Sequence, residues 1–230
     1  MDCGLSFPKN WLQSQLMALQ NDDVDWVSGV CLTTGTTLVD KAAIAHTYGY
    51  LSARPVIPGS VVRRRVFDRI GLFKDLRAGY DVEWARSSMR AGLRRQINDR
   101  VVVKYHDVNF APGLSGVFLK SLRYARPSVG RDDAVTPYVY VMAGLLGICT
   151  VIATLMDVLP MALLPFGFAA YLLGRLVIAA KKSRGFIFFL RSPFRLLTVL
   201  VVGLIMDFGK TCGFSAGIYT RFLRRRRLIR

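Results

Sequence analysis

Tyr138 to Met156, YVYVMAGLLGICTVIATLM, is nineteen residues without a charge. As a helix, that run is long enough to cross the hydrocarbon core of a bilayer. After Asp157 the chain is apolar again from Val158 to Ala180 apart from Arg175. This predicts a second span, with Arg175 close enough to its end to snorkel. Asp157–Pro160 then forms the tight turn of an antiparallel hairpin. A third apolar stretch, Leu196–Met206, is only eleven residues, with Arg191 and Arg195 before it and Asp207 and Lys210 after it. Its length predicts an interfacial or re-entrant helix rather than a third span.

The pattern before Tyr138 is different. Trp11, Leu12, Leu16 and Leu19 recur at helical spacing and predict a helix over Asn10–Gln20, led in by Ser6 and Pro8. DWVSGVCLTT (Asp25–Thr34) reads as a strand. RRRVFDRIGLF (Arg63–Phe73) reads as a short helix with Val66, Phe67 and Ile70 inward, stopped at Gly71. Val82–Gly92 predicts another helix and Arg100–Val108 another strand. Together these predict a mixed α/β unit, with no internal repeat and no low-complexity tract.

Charge sharpens the division. Residues 1–136 hold 19 Lys/Arg against 13 Asp/Glu, residues 137–180 hold only Arg175 and Asp157, and residues 181–230 hold 12 basic residues against Asp207. A neutral apolar middle with a basic end is the pattern of a membrane protein. The run KKSRG (Lys181–Gly185) places both ends of the hairpin on the cytoplasmic side. The tail RFLRRRRLIR is a membrane-surface segment that favours anionic lipid. The net charge of +17 alone would also suit a nucleic-acid binder, but it is concentrated beside the spans and no nucleic-acid-binding motif accompanies it. Cys3, Cys31, Cys149 and Cys212 form no CxxC pair, and His46 and His106 are the only histidines, which excludes a structural zinc motif. Asp2 and the lack of an apolar core argue against a signal peptide in the first twenty residues.

Candidate chemistry gathers in GSVVRRRVFDRIGLFKDLRAGYDVEWARSSMRAGLRRQ, where Asp81 and Glu83 stand among arginines. Asp81 falls at the mouth of a helix, where the N-terminal partial charge favours a carboxylate. A plain helix-capping role fits the same position. Arg86, Arg90 and Arg94 share one helix face, either as a solvated or lipid-facing stripe or as substrate contacts.

The order of these features resembles the second half of the catalytic domain of family 2 (GT-A type) glycosyltransferases. A helix ends in Gly-x-Phe (Gly71–Phe73), an acidic loop holds Asp81, ARSSMRAG (Ala85–Gly92) follows, and a strand ends at His106. Upstream, MDCGLSFPKNWL (Met1–Leu12) resembles the stretch after the family's central strand, and LKSLRYARPSVG (Leu119–Gly130) resembles the basic helix before its membrane segments. The resemblance implies a partial GT-A-like, doubly wound α/β domain over residues 1–135, two transmembrane helices over 136–180, and an interfacial helix with a polybasic tail over 181–230. It implies an inverting sugar transfer with Asp81 as general base, although Tyr80 replaces the family's usual glutamate. Asp2 is implied as ligand to a divalent cation (Mg2+ or Mn2+) and to the donor nucleotide, with Gly4 where a second aspartate often stands. Arg123 and Arg126 are implied at the diphosphate. Trp84 is expected either to line the acceptor site or to sit in the core, and His106 to be a structural strand-end histidine. The implied partners are a nucleotide-sugar donor, a lipid-linked or saccharide acceptor and membrane lipids, with no nucleic acid.

The family's nucleotide-binding half is expected before Asp2, and no strand series in residues 1–136 replaces it. The chain is therefore expected to be the C-terminal part of an enzyme, one that needs an N-terminal partner fragment, or an inactive remnant or assembly partner. Alone it is expected not to bind donor.

Overall fold

The computed structural model describes residues 4–75, 79–106, 113–129 and 135–228. It is a mixed α/β unit followed by long apolar helices. Strand β1 (Leu5–Ser6) leads into helix α1 (Trp11–Leu19), and strand β2 (Trp26–Thr33) follows. Seven of the eight residues of β2 are buried, as a strand covered on both faces must be. Helix α2 (Leu38–Thr47) begins with a reciprocal cap: the Asp40 N–H donates to Thr37 Oγ1, and the Thr37 N–H donates to Asp40 Oδ2, both at 3.1 Å.

Strand β3 (Ala53–Val62) carries Pro55 and Pro58, which a ladder tolerates at a sheet edge, and an edge is where β3 lies. Its Gly59 has φ 81°, and the Gly59 carbonyl accepts hydrogen bonds from Trp11 Nε1 at 3.0 Å and Gln15 Nε2 at 2.9 Å. Helix α3 (Arg64–Ile70) stops at Gly71, as its sequence predicts. Helix α4 (Tyr80–Arg90) precedes strand β4 (Arg95–Tyr105), which starts five residues before its expected beginning at Arg100. The strand order is β1-β4-β2-β3. β2 and β4 are parallel, while β1 and β3 pair antiparallel to their neighbours. The sheet is thus mixed.

Helix α5 (Gly113–Ser128) leads to α6 (Thr136–Leu155), α7 (Leu163–Lys182), the single turn α8 (Ile187–Leu190) and α9 (Pro193–Leu228). Three helices, over Thr136–Leu155, Leu163–Lys182 and Pro193–Leu223, are long and apolar enough to cross a membrane. The α6–α7 hairpin is as expected. Asp157 ends α6 with φ 56°, a left-handed position in which a short polar side chain is tolerated. Met142, Leu146 and Leu155 turn outward from α6, as lipid-facing residues do.

Two expectations are corrected here. The third apolar stretch is no short re-entrant piece but part of a continuous helix of 36 residues. Arg175 does not extend out into solvent. Its side chain is 10% exposed, and Nε lies 2.9 Å from Oδ2 of Asp207. One fact explains both: the charge expected to end the apolar run at Met206 is turned inward and paired with the arginine of α7, so α9 continues.

Helix α2 packs its alanines and Ile44 against Ala179, Val199, Val202 and Met206 of α7 and α9, and two further contacts fasten the α/β unit to these helices. The α2–β3 turn meets the α7–α8 turn through Tyr50 N–H to Ser183 Oγ (2.9 Å), Arg184 N–H to Ser52 Oγ (2.8 Å) and Lys182 Nζ to the His46 carbonyl (2.9 Å). The second fastening is the seam between α5 and α9. Gly209, Gly213 and Gly217 recur every four residues on α9, and α5 presents the carbonyls of Phe118, Leu122 and Arg126 at the same interval. A Cβ on each glycine would stand 2.8, 2.5 and 2.5 Å from its facing carbonyl. Only glycine permits that approach of two helix backbones.

Candidate functional site

Two backbone features place Asp81. Gly79 caps α4 in the left-handed conformation (φ 74°), and the Glu83 N–H closes the first turn on the Gly79 carbonyl at 3.0 Å. Asp81 and Glu83 are the acids of that turn. An aromatic cluster then fixes the helix. The Trp84 ring lies 5.6 Å from Trp26, 5.4 Å from Phe67 and 5.1 Å from Phe73, and Phe73 meets Tyr80 edge-on at 5.8 Å. Trp84 Nε1 donates to the Gly71 carbonyl at 3.2 Å, and Trp26 Nε1 to Ser88 Oγ at 2.8 Å.

Trp84 is therefore a core residue, 3% exposed, and the reading of it as an acceptor-lining side chain is corrected. Its ring is enclosed by other rings and its one donor is spent inside the fold. Glu83, also buried, has Oε1 3.4 Å from Lys74 Nζ, and its Oε2 finds no hydrogen-bond partner among the described residues. This carboxylate ties the loop before α4 to the helix. Asp81, half-buried, is the one that stays accessible.

α4 leads into β4 through the short turn at Gly92 and packs beside the starts of the parallel strands, Trp84 and Ser88 both meeting Trp26, which pairs with Arg95. At the other end β2 and β4 finish together: Thr33 pairs with Tyr105, and the Thr34 N–H donates to the Tyr105 carbonyl at 3.0 Å. The His106 N–H donates to the Gly4 carbonyl at 3.1 Å, which brings the start of the described chain to the same edge. The carboxyl ends of parallel strands are where open α/β sheets bind ligands.

Tyr48 lies within electrostatic reach of Tyr105, Tyr124 and Asp81, and none of the three tyrosines is singled out by the sequence. Burial pushes the Tyr48 hydroxyl above its ordinary pKa, and Tyr124, Tyr105 and the Asp81 carboxylate act in the same direction. Tyr48 remains 42% exposed, so solvent screens these effects. Tyr48 caps α2, Tyr105 ends β4 and Tyr124 lies on α5. They share no local spacing, which is why no sequence motif joins them. On the same helix as Tyr124, Arg123 and Arg126 are exposed, and Arg126 reaches Thr220 Oγ1 at 3.4 Å. Burial lowers the pKa of Lys120, and Asp40 opposes that shift.

Asp2 lies outside the described residues. Among those described, no group of three or more His, Cys, Asp or Glu side chains is placed to hold a metal ion. His106 is exposed and contributes its backbone N–H to the β1–β4 edge. Of the arginine stripe, Arg86 and Arg90 are exposed, and Arg94 pairs with Asp23 at 3.1 Å. A polar groove of about 760 Å³ between α1 and β4, lined by Asn10, Gln13, Ser14, Asn98, Asp99 and Arg100, contains none of the candidates.

No family model matches the chain, and neither the curated proteins nor the solved structures contain a match.

Proposed function

We propose that the chain is the C-terminal part of a membrane-bound glycosyltransferase that moves a sugar, with inversion, from a nucleotide-sugar to a lipid-linked or polysaccharide acceptor. The observation that carries this reading is Asp81 itself: an accessible carboxylate in the first turn of α4, near enough to Tyr48 to act on its hydroxyl.

The chemistry needs a base there. As the acceptor hydroxyl oxygen attacks the anomeric carbon, its proton passes to an Asp81 carboxylate oxygen, and the bond to the nucleoside diphosphate breaks on the opposite face. Arg123 and Arg126, on the helix that also carries Tyr124, supply positive charge for the departing diphosphate. Asp2 would hold the divalent cation, which supplies further charge compensation when bound. The apolar helices hold this chemistry at a membrane, where a lipid-linked acceptor is presented.

The test is transfer of labelled sugar in membranes from cells making the intact protein, with Asp81→Asn beside the unsubstituted chain. Loss of a general base lowers the rate by about 10²–10⁴-fold. Unchanged transfer removes Asp81 from the mechanism.

A further inference from the structure

Asp207 is the only carboxylate turned in among the apolar helices, half-buried, the other acid of residues 136–228 being Asp157 at the far turn of the α6–α7 hairpin. Four groups converge on it. Tyr140 of α6 donates to Oδ1 at 3.1 Å and Tyr171 of α7 to Oδ2 at 2.7 Å. Arg175 Nε stands 2.9 Å from Oδ2, and Lys210 Nζ 3.8 Å from Oδ1. One carboxylate thus faces two cations, leaving a net charge of +1 in an apolar bundle.

The pairing of Arg175 is also incomplete. Its Nε approaches Asp207 off the N–H direction, so the contact is Coulombic rather than a hydrogen bond, and Nη2 is buried with no acceptor among the described residues. An unmatched guanidinium in such surroundings is costly, and an ionisable group within a membrane helix is a functional-site candidate by default. The cluster is not sealed: Lys210 is 28% and Asp207 15% exposed.

Depth narrows the ligand. Tyr140 lies four residues inside the start of α6, and Arg175 seven residues before the end of α7. At the rise of an α-helix these are depths of roughly 6 and 10 Å from the same end of the hairpin, at the boundary between headgroups and acyl chains. Arginine matches phosphate through paired N–H groups, and basic pockets between membrane helices take lipid phosphates. We propose that Arg175 and Lys210, set against Asp207, form a binding site for the phosphate group of a membrane lipid. The site stands whether or not the chain transfers sugar.

The test uses the full chain in phosphatidylcholine nanodiscs, with bound lipid read by native mass spectrometry. Phosphatidylglycerol, a prenyl monophosphate and inorganic phosphate are added separately. The expected result is one anionic lipid retained per chain, with affinity reduced tenfold or more in Arg175→Gln and in Lys210→Gln. Asp207→Asn raises the cluster to +2 and is expected to hold the lipid at least as tightly. That opposite sign separates ligand binding from loss of fold, which thermal unfolding of each variant monitors. Competition by inorganic phosphate at the lipid's own affinity keeps the phosphate site and reassigns its source to the free anion. Equal retention by all variants, or weakening by Asp207→Asn as great as by Arg175→Gln, overturns the proposal.

Discussion

His46 on α2 and Val199 on α9, 153 residues apart, are joined by a buried hydrogen bond of 2.8 Å between the imidazole Nε2 and the Val199 carbonyl. A carbonyl only accepts, so Nε2 carries the hydrogen, and the buried Nδ1 has no partner among the described residues. The approach depends on Gly203, where a Cβ would stand 2.8 Å from Nε2 and 3.5 Å from Arg175 Nε. Gly203→Ala is therefore expected to destabilise the fold by about 1–3 kcal/mol through overpacking. Thermal unfolding in detergent reads this as a drop of about 2–4 °C per kcal/mol.

The burial of the same imidazole makes stability depend on pH, and its bond to Val199 opposes the shift. Burial, and then the neighbouring Arg175, lower the His46 pKa from 6.5 to about 4. Between those values the unfolded chain binds the proton and the folded chain does not, so acid favours unfolding. Stability from this group is complete above pH 6.5 and falls toward pH 4, by at most about 1.4 kcal/mol per pH unit. In His46→Gln the slope of unfolding free energy against pH across this window should flatten. An unchanged slope would mean that His46 is not the titrating group.

Trp84 separates a core role from a site role. Trp84→Ala removes an enclosed ring and is expected to cost about 3–5 kcal/mol of stability. Trp84→Phe keeps most of the packing but leaves the Gly71 carbonyl without its donor, a loss of about 1–2 kcal/mol. Denaturant unfolding measures both. A Trp84→Phe chain with unchanged stability but weakened acceptor binding would restore the acceptor-site reading.

The α5–α9 seam predicts a contrast among glycines. Gly213→Leu drives a side chain into the Leu122 carbonyl and should part α5 from α9, exposing α5 amides to hydrogen exchange. Gly147→Ala and Gly174→Ala, where a new Cβ meets nothing within 4 Å, should be tolerated or gain about 0.5–1 kcal/mol from helix propensity. Because α5 also carries Arg123, Tyr124 and Arg126, Gly213→Leu is further expected to lower sugar transfer without touching Asp81.

Much of the architecture was legible from local patterning. The hairpin of α6 and α7, helices α1, α3 and α4, and the core strand β2 follow periodicity and glycine stops, within a few residues of their expected ends. No local pattern gives β3, because its two prolines and Gly59 disfavour a strand, and only the tertiary neighbours of an edge strand make them acceptable. The glycine seam does leave a trace in the sequence, the four-residue repeat Gly209, Gly213, Gly217, but its meaning needs the facing carbonyls of α5.

For the candidate site the division runs along the same line. The sequence by itself determined that a carboxylate would stand at a helix mouth among arginines, and that apolar helices would follow, because helix starts and hydrophobic runs are local properties. Tertiary structure alone decided that Trp84 is enclosed, that Tyr48 comes within electrostatic reach of Tyr105, Tyr124 and Asp81, and that Asp207 turns inward to Arg175. The last reverses the reading of α9: a charge in an apolar run signals the end of a helix only until a residue 32 positions away pairs with it, and no local window contains that residue.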